Sequence, residues 1–195
     1  MKNEKQTYKY CKERSIISNQ IDEYQLTQEE YYKIYSFYVT YSMCGSQSGK
    51  KRSFTDYGWE SGRIKSTILG EALCSILDLY NKASFVFTDQ DDLANQFDAL
   101  DLTDGELKSV VHERAVVGKT PGENYFMKLF YRIRDGFAHG CFLLRFASTG
   151  EKMVIIQDRS QHNVTARMVL KLSTLLQFVE VIDVNSIICT PNKSN

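Results

Sequence analysis

RIRDGFAHGCFLLRF, residues 132–146, contains a change of period. Upstream of Gly140, Phe126, Leu129, Phe130, Ile133 and Phe137 fall at i, i+3, i+4, i+7 and i+11, the spacing of one packed helical face. Downstream, Phe142, Leu144 and Phe146 alternate with Leu143 and Arg145, the period of a strand. STGE then reads as a turn and KMVIIQD as the returning strand. The stretch therefore predicts a long amphipathic helix, a glycine stop and a β-hairpin, with Arg134 and His139 together in the last helical turn.

Working outward, LTQEEYYKIYSFYVTYSMCG opens with Thr27 and Glu30 at capping-box spacing and predicts a helix that stops at Gly45. SQSGKKRSFTDYGWESG is polar and turn-rich, which predicts a loop. From Arg63 to Lys82, Ile64, Ile68, Ala72, Ile76 and Tyr80 recur every four residues, the stripe of a central helix. FVF reads as a short extended piece, and Leu93 to Leu100 as a short helix. Thr103 and Glu106 repeat the capping-box spacing ahead of a helix carrying Leu107, Val110, Val111 and Val117, which GKTPG ends. VTARMVLKLSTLLQFVEVI predicts a last helix, capped by Asn163, through Met168, Leu172, Leu175, Val179 and Ile182. The expected fold is mainly α, a helical bundle with one hairpin between the motif helix and the last helix. It forms one domain over 1–195, with residues 1–45 as an N-terminal helical extension and 60–183 as the bundle core.

The chain has 195 residues, 43% of them hydrophobic, and a net charge of zero, which fits one globular domain and argues against binding nucleic acid by bulk charge alone. Charge is unevenly spread. Residues 88–106 carry a net −7, and residues 119–145, around the motif, a net +3. The five cysteines form no CxxC pair, so neither a disulfide framework nor a zinc site is expected. No run approaches the roughly 20 apolar residues of a membrane span, and the first residues lack a secretory core. The expectation is a cytoplasmic protein with no membrane partner.

Several chemistries lack their residues. Gly118-Lys119-Thr120 resembles the end of a Walker A loop, but the required first glycine falls on Glu113, and Pro121 interrupts the start of a helix. The acidic run places Leu100 and Leu102 where an EF-hand needs carboxylates. There is no GxSxG, and neither His112 nor His162 has a catalytic pattern around it. The tyrosine face at residues 31–38 reads as core rather than as a stacking platform, and Lys50 to Arg52 as a solvated loop.

What remains is Arg134, four intervening residues, His139 and then Gly140, at the end of a well-patterned helix. RDGFAHG resembles the Rx4-6H signature of HEPN domains, helical bundles that include RNA-cleaving toxins, anti-phage nucleases and CRISPR-associated ribonucleases. The resemblance extends to the order of helix, motif, hairpin and closing helix. It implies that Arg134 binds phosphate, that His139 is the catalytic histidine, and that Asp135 is the polar residue following the arginine, where the family most often has Asn. It also implies RNA as partner, a homodimer, and a possible antitoxin or regulatory protein. Toxins of this kind paired with minimal nucleotidyltransferases carry a tyrosine two residues after the histidine. Cys141 stands there in this chain, which argues against that route of regulation.

The residues fit such chemistry. RNA carries its own nucleophile, so cleavage needs a proton acceptor, a proton donor and cations for the phosphorane, with no metal or cofactor. Imidazole serves either proton role, and guanidinium meets phosphate oxygens with paired hydrogen bonds. One chain offers one such pair, so the mechanism calls for an isologous homodimer with the site at its interface. On a helix Arg134 and His139 lie about 140° apart, whereas Asp135 and His139 are i, i+4 neighbours and can interact directly, orienting the ring. Gly136 weakens the helix by about 1 kcal/mol relative to alanine, which suggests a close approach of backbone or ligand there. Two alternatives stay open: a catalytically inactive module that binds nucleotide, RNA or a partner protein, and a structural helical dimer in which the motif is an ordinary capped helix end.

Overall fold

A computed structural model describes residues 25–44, 52–59, 68–79, 84–103, 110–160 and 163–188. Thr27 caps α1 (Gln28–Ile34) through the expected box: its hydroxyl accepts from the Glu30 amide at 3.2 Å, and the Glu30 carboxylate accepts from the Thr27 amide at 2.8 Å. The helix continues as a π-helical segment, Tyr35–Thr40. Then follow α2 (Ile68–Ile76), β1 (Phe85–Thr88), α3 (Leu93–Ala99), β2 (Arg114–Gly118), α4 (Tyr125–Ala138), β3 (Phe142–Phe146), β4 (Lys152–Ser160), β5 (Asn163–Lys171) and α5 (Leu172–Ile182). No helix of the described residues is long and apolar enough to cross a membrane.

The expected mainly α bundle, the fold implied by the HEPN resemblance, is overturned. The strands form one five-stranded mixed sheet in the order β1-β2-β5-β4-β3, so the architecture is α/β. β1 and β2 are parallel, and the other neighbours are antiparallel. The hairpin and the extended FVF are where the sequence put them. β2 and β5 are not: residues 110–117 and 163–171 were expected to be helical, and they supply two central strands. A strand covered on both faces loses its polar alternation, and RAVVG is buried at every position. Met168 of β5 lies four residues before Leu172, the first residue of α5, a spacing that fits a helical turn and is also a multiple of the strand period. The last helix is consequently shorter and begins after Lys171 instead of Asn163. The 104–109 segment, the 1–24 segment and parts of the 63–82 helix expectation lie outside the described residues.

Two apolar cores flank the sheet. On one face Val117, Val154, Ile156, Met168 and Leu170 pack against α1, α2, α4 and α5. On the other, Val116, Ile155 and Val169 meet Leu93 and Phe97 of α3. Tyr57 and Trp59 belong to the first core and its rim. The Tyr57 hydroxyl donates to the Tyr41 carbonyl and the Trp59 indole to that of Ile182, both at 2.9 Å. The tyrosine face divides: Tyr38 is buried, whereas Tyr31 is exposed and stacks on Tyr35.

The second face also buries two arginines, each 1% exposed. Arg114 donates to the carbonyls of Leu100 and Asp101 at 2.9 and 3.0 Å. Arg167 donates to the Leu102 carbonyl at 2.8 Å and to Gln157 Oε1 at 3.0 Å, over the Phe97 ring. The carbonyls at the end of α3 thus satisfy guanidinium groups that would otherwise be desolvated without partners. Arg167→Met keeps the volume but strands these acceptors, at about 1–3 kcal/mol each. A lower urea midpoint at unchanged slope is the expected result; a wild-type midpoint would mean that the carbonyl caps contribute nothing.

Candidate functional site at the end of α4

Asn124 starts α4 by accepting from the Met127 amide at 3.1 Å. The helix ends in a full Schellman motif. His139 is the C-cap residue, Gly140 follows with φ +65°, Cys141 N–H donates to the Gly136 carbonyl at 2.8 Å, and Gly140 N–H to that of Phe137 at 3.2 Å. Gly140 is needed because side chains disfavour that left-handed conformation. The turn leaves His139 exposed and delivers the chain directly into β3.

Gly136 has a packing cause. A Cβ there would lie 2.3 Å from Ile156 Cγ2. The close approach comes from a β4 side chain; the nearest backbone, the carbonyls of Cys141 and Gln157, stands off at 3.7 Å. Alanine would gain about 1 kcal/mol of helix propensity, but overpacking costs about 1–3 kcal/mol, so the two effects oppose each other. Gly136→Ala is expected to lower the melting temperature. A higher one would show that α4 is free to move away from β4.

The structure brings Arg134 and Asp135 together and leaves His139 apart from both. Arg134 Nη1 is bonded to the Asp135 carboxylate, with 15% of the arginine side chain exposed, and its Nε is buried without an acceptor. The Asp135 carboxylate also lies close enough to Tyr131 for its charge to raise the phenol above its ordinary pKa. The Asp135–His139 side-chain bond that their spacing allows is not formed; the two are joined by the His139 amide donating to the Asp135 carbonyl at 3.0 Å. Among the described residues the His139 ring has no hydrogen-bond partner, so its orientation is not fixed by a carboxylate.

Three residues of this region were missed from sequence. Tyr131 sits one turn before Asp135, a spacing that could have suggested it. Asp158 and Arg159 come from β4, 19 or more positions beyond the histidine, where only pairing shows their place. The ladder Phe142↔Ile156 extends to Gln157 N–H donating to the Cys141 carbonyl at 3.0 Å, which carries the end of β4 past the α4 exit. Between Asp158 and Arg159 the β4–β5 ladder shifts register, leaving Thr165 of β5 without a ladder partner. Arg159 is exposed and close enough to pull the Cys141 thiol pKa down, against the stronger upward push of burial. Asp158 turns inward, accepting from Arg132 at 2.5 Å and from Thr165 at 2.7 Å.

The class defined by fold and site is thus a mixed α/β protein with an exposed histidine at a glycine-capped helix end, near Arg134, which is paired with Asp135, and the exposed Arg159. Compared with known proteins, the chain matches no family model, no curated protein and no solved structure.

Proposed function

We propose that the chain is a metal-independent endoribonuclease with HEPN-type site chemistry on a mixed α/β scaffold, acting in the cytoplasm as a toxin or phage-defence effector. The observation that carries this reading is the exposed imidazole of His139 at the end of α4, without a hydrogen-bond partner among the described residues, about one turn after the Arg134–Asp135 pair. A two-fold homodimer joining two such ends supplies two imidazoles. One accepts the 2′-hydroxyl proton as the 2′-oxygen bonds to phosphorus; the other donates a proton to the 5′-oxygen as the P–O5′ bond breaks. The products are a 2′,3′-cyclic phosphate and a 5′-hydroxyl. Arg134 neutralises the phosphorane once phosphate displaces Asp135, and the exposed Arg159 near the end of β4 stands close to the same helix end.

The Arg134–Asp135 ion pair favours a second reading, a catalytically inactive module that binds RNA, nucleotide or a regulatory protein, because a phosphate must compete with a carboxylate already in place. Incubating RNA with wild-type, Arg134→Ala, Arg159→Ala and His139→Ala protein in EDTA separates the two. The nuclease reading expects cleavage by wild type, a loss of about 10²–10⁴-fold for His139→Ala, and RNA affinity about tenfold weaker for Arg159→Ala. Binding without cleavage supports the inactive module. A scattering mass of one chain during active cleavage would sink the dimer mechanism.

A further inference from the structure

β1 and β2 are adjacent and parallel, yet the helices that follow them leave to opposite faces: α3 to one core, α4 to the other. Their outgoing loops therefore diverge, and a crevice of about 340 Å³ opens outside the two C-terminal strand ends. This is where open α/β sheets place ligands, and the volume is at the small end for such sites. Gly118 opens the strand end because a Cβ would lie 2.8 Å from the Thr165 carbonyl. None of the residues assigned to RNA cleavage lines this crevice.

Its walls differ in sign. The β1–α3 loop contributes Asp89 and Asp91, and the β2–α4 side contributes Lys119, Lys128 and Arg132. Among the described residues Lys119 has no carboxylate partner; its ammonium lies 4.8 Å from the Tyr125 ring centroid. Arg132 is 9% exposed and fixed in place by Asp158 and by the Gly118 carbonyl at 3.3 Å, yet its Nε–H is buried without an acceptor. That Nε–H lies off the crevice surface, so an anion in the crevice meets the exposed edge of the fixed guanidinium beside the Lys119 ammonium. Lys128 is held 2.8 Å from Glu123. Partial burial works against that carboxylate's charge, but hydrogen bonds from Lys128 and Thr120 hold its pKa down at about 2. Across the crevice, the exposed Asp89 uses one carboxylate oxygen, Oδ1, to accept from the Asp92 amide at 3.2 Å. The acidic wall suits hydroxyl or amine donors and repels a bare anion; the basic wall suits phosphate.

We propose that this crevice binds a sugar-phosphate group, its phosphate on Lys119 and Arg132 and its hydroxyls on Asp89, either free or as part of a nucleotide. The assignment is independent of the cleavage site at the end of α4. Replacing Arg132 would leave Asp158 buried and unpaired, so the informative variants are Lys119→Ala and Asp89→Asn, at positions where the fold does not depend on the side chain's charge. The test is calorimetric titration of the full chain with ribose 5-phosphate, adenosine 5′-monophosphate, ribose and inorganic phosphate. Saturable binding of either phosphorylated ligand is expected, with ribose and phosphate alone weaker by about tenfold or more and each variant weakening binding by about tenfold. Equal affinity for both phosphorylated ligands marks the sugar phosphate as the whole determinant, and a preference for the nucleotide marks a base contact as well. His139→Ala is expected to bind as wild type does, whatever happens to RNA cleavage. Absence of binding at millimolar ligand, affinities unchanged in both variants, or loss of binding in His139→Ala would each overturn the assignment.

Discussion

The Asp158 carboxylate is the point on which the arrangement depends. It lies near the end of β4, accepts from Arg132 of α4 and from Thr165 of β5, and through Arg132 is tied to the Gly118 carbonyl at the end of β2. Four elements are therefore joined by one buried, hydrogen-bonded ion pair. Such a pair contributes little net stability against an apolar replacement, but it tolerates few geometries, so its effect is to fix how α4 lies across the sheet. The Gly136–Ile156 contact fixes the same helix about one turn later by shape alone.

Both polar regions follow from that placement. On one helical face of α4, Lys128, Arg132, Asp135 and His139 fall within about 60° of one another. The early part of this stripe borders the crevice at the β1 and β2 ends, and its last residue is the exposed imidazole at the Schellman turn. Arg134 lies off the stripe and is paired with its chain neighbour Asp135. The cation on the exposed side of the α4 exit comes instead from β4, where the register shift separates inward-turned Asp158 from exposed Arg159. A single irregularity in strand pairing thus lies between a buried carboxylate and an exposed guanidinium.

The opposite face of the sheet shows a different use of arginine. Arg114 and Arg167 are buried against carbonyls that follow α3, and they hold the Leu100–Leu102 turn onto the sheet. Cations in such positions look like a solvated helix face when only their spacing is considered. That resemblance is part of why β5 reads as helix: Arg167 seems to mark a polar side, whereas it sits at the centre of a strand with apolar neighbours on both faces.

The sequence by itself determined the local pieces: the Thr27–Glu30 box, the Asn124-started α4, its glycine stop and the β3–β4 hairpin. It also singled out the histidine that the helix end leaves exposed. Each of these rests on interactions within a few residues, which composition and spacing encode directly. Tertiary structure alone decided the fold class, because β2 and β5 are strands only in the presence of each other and of β4. A short, fully apolar run has no period to declare, and a four-residue spacing satisfies helix and strand alike. Pairing across the sheet likewise decided that Arg159 comes close to the end of α4 and that a crevice opens where two parallel strands send their helices to opposite faces.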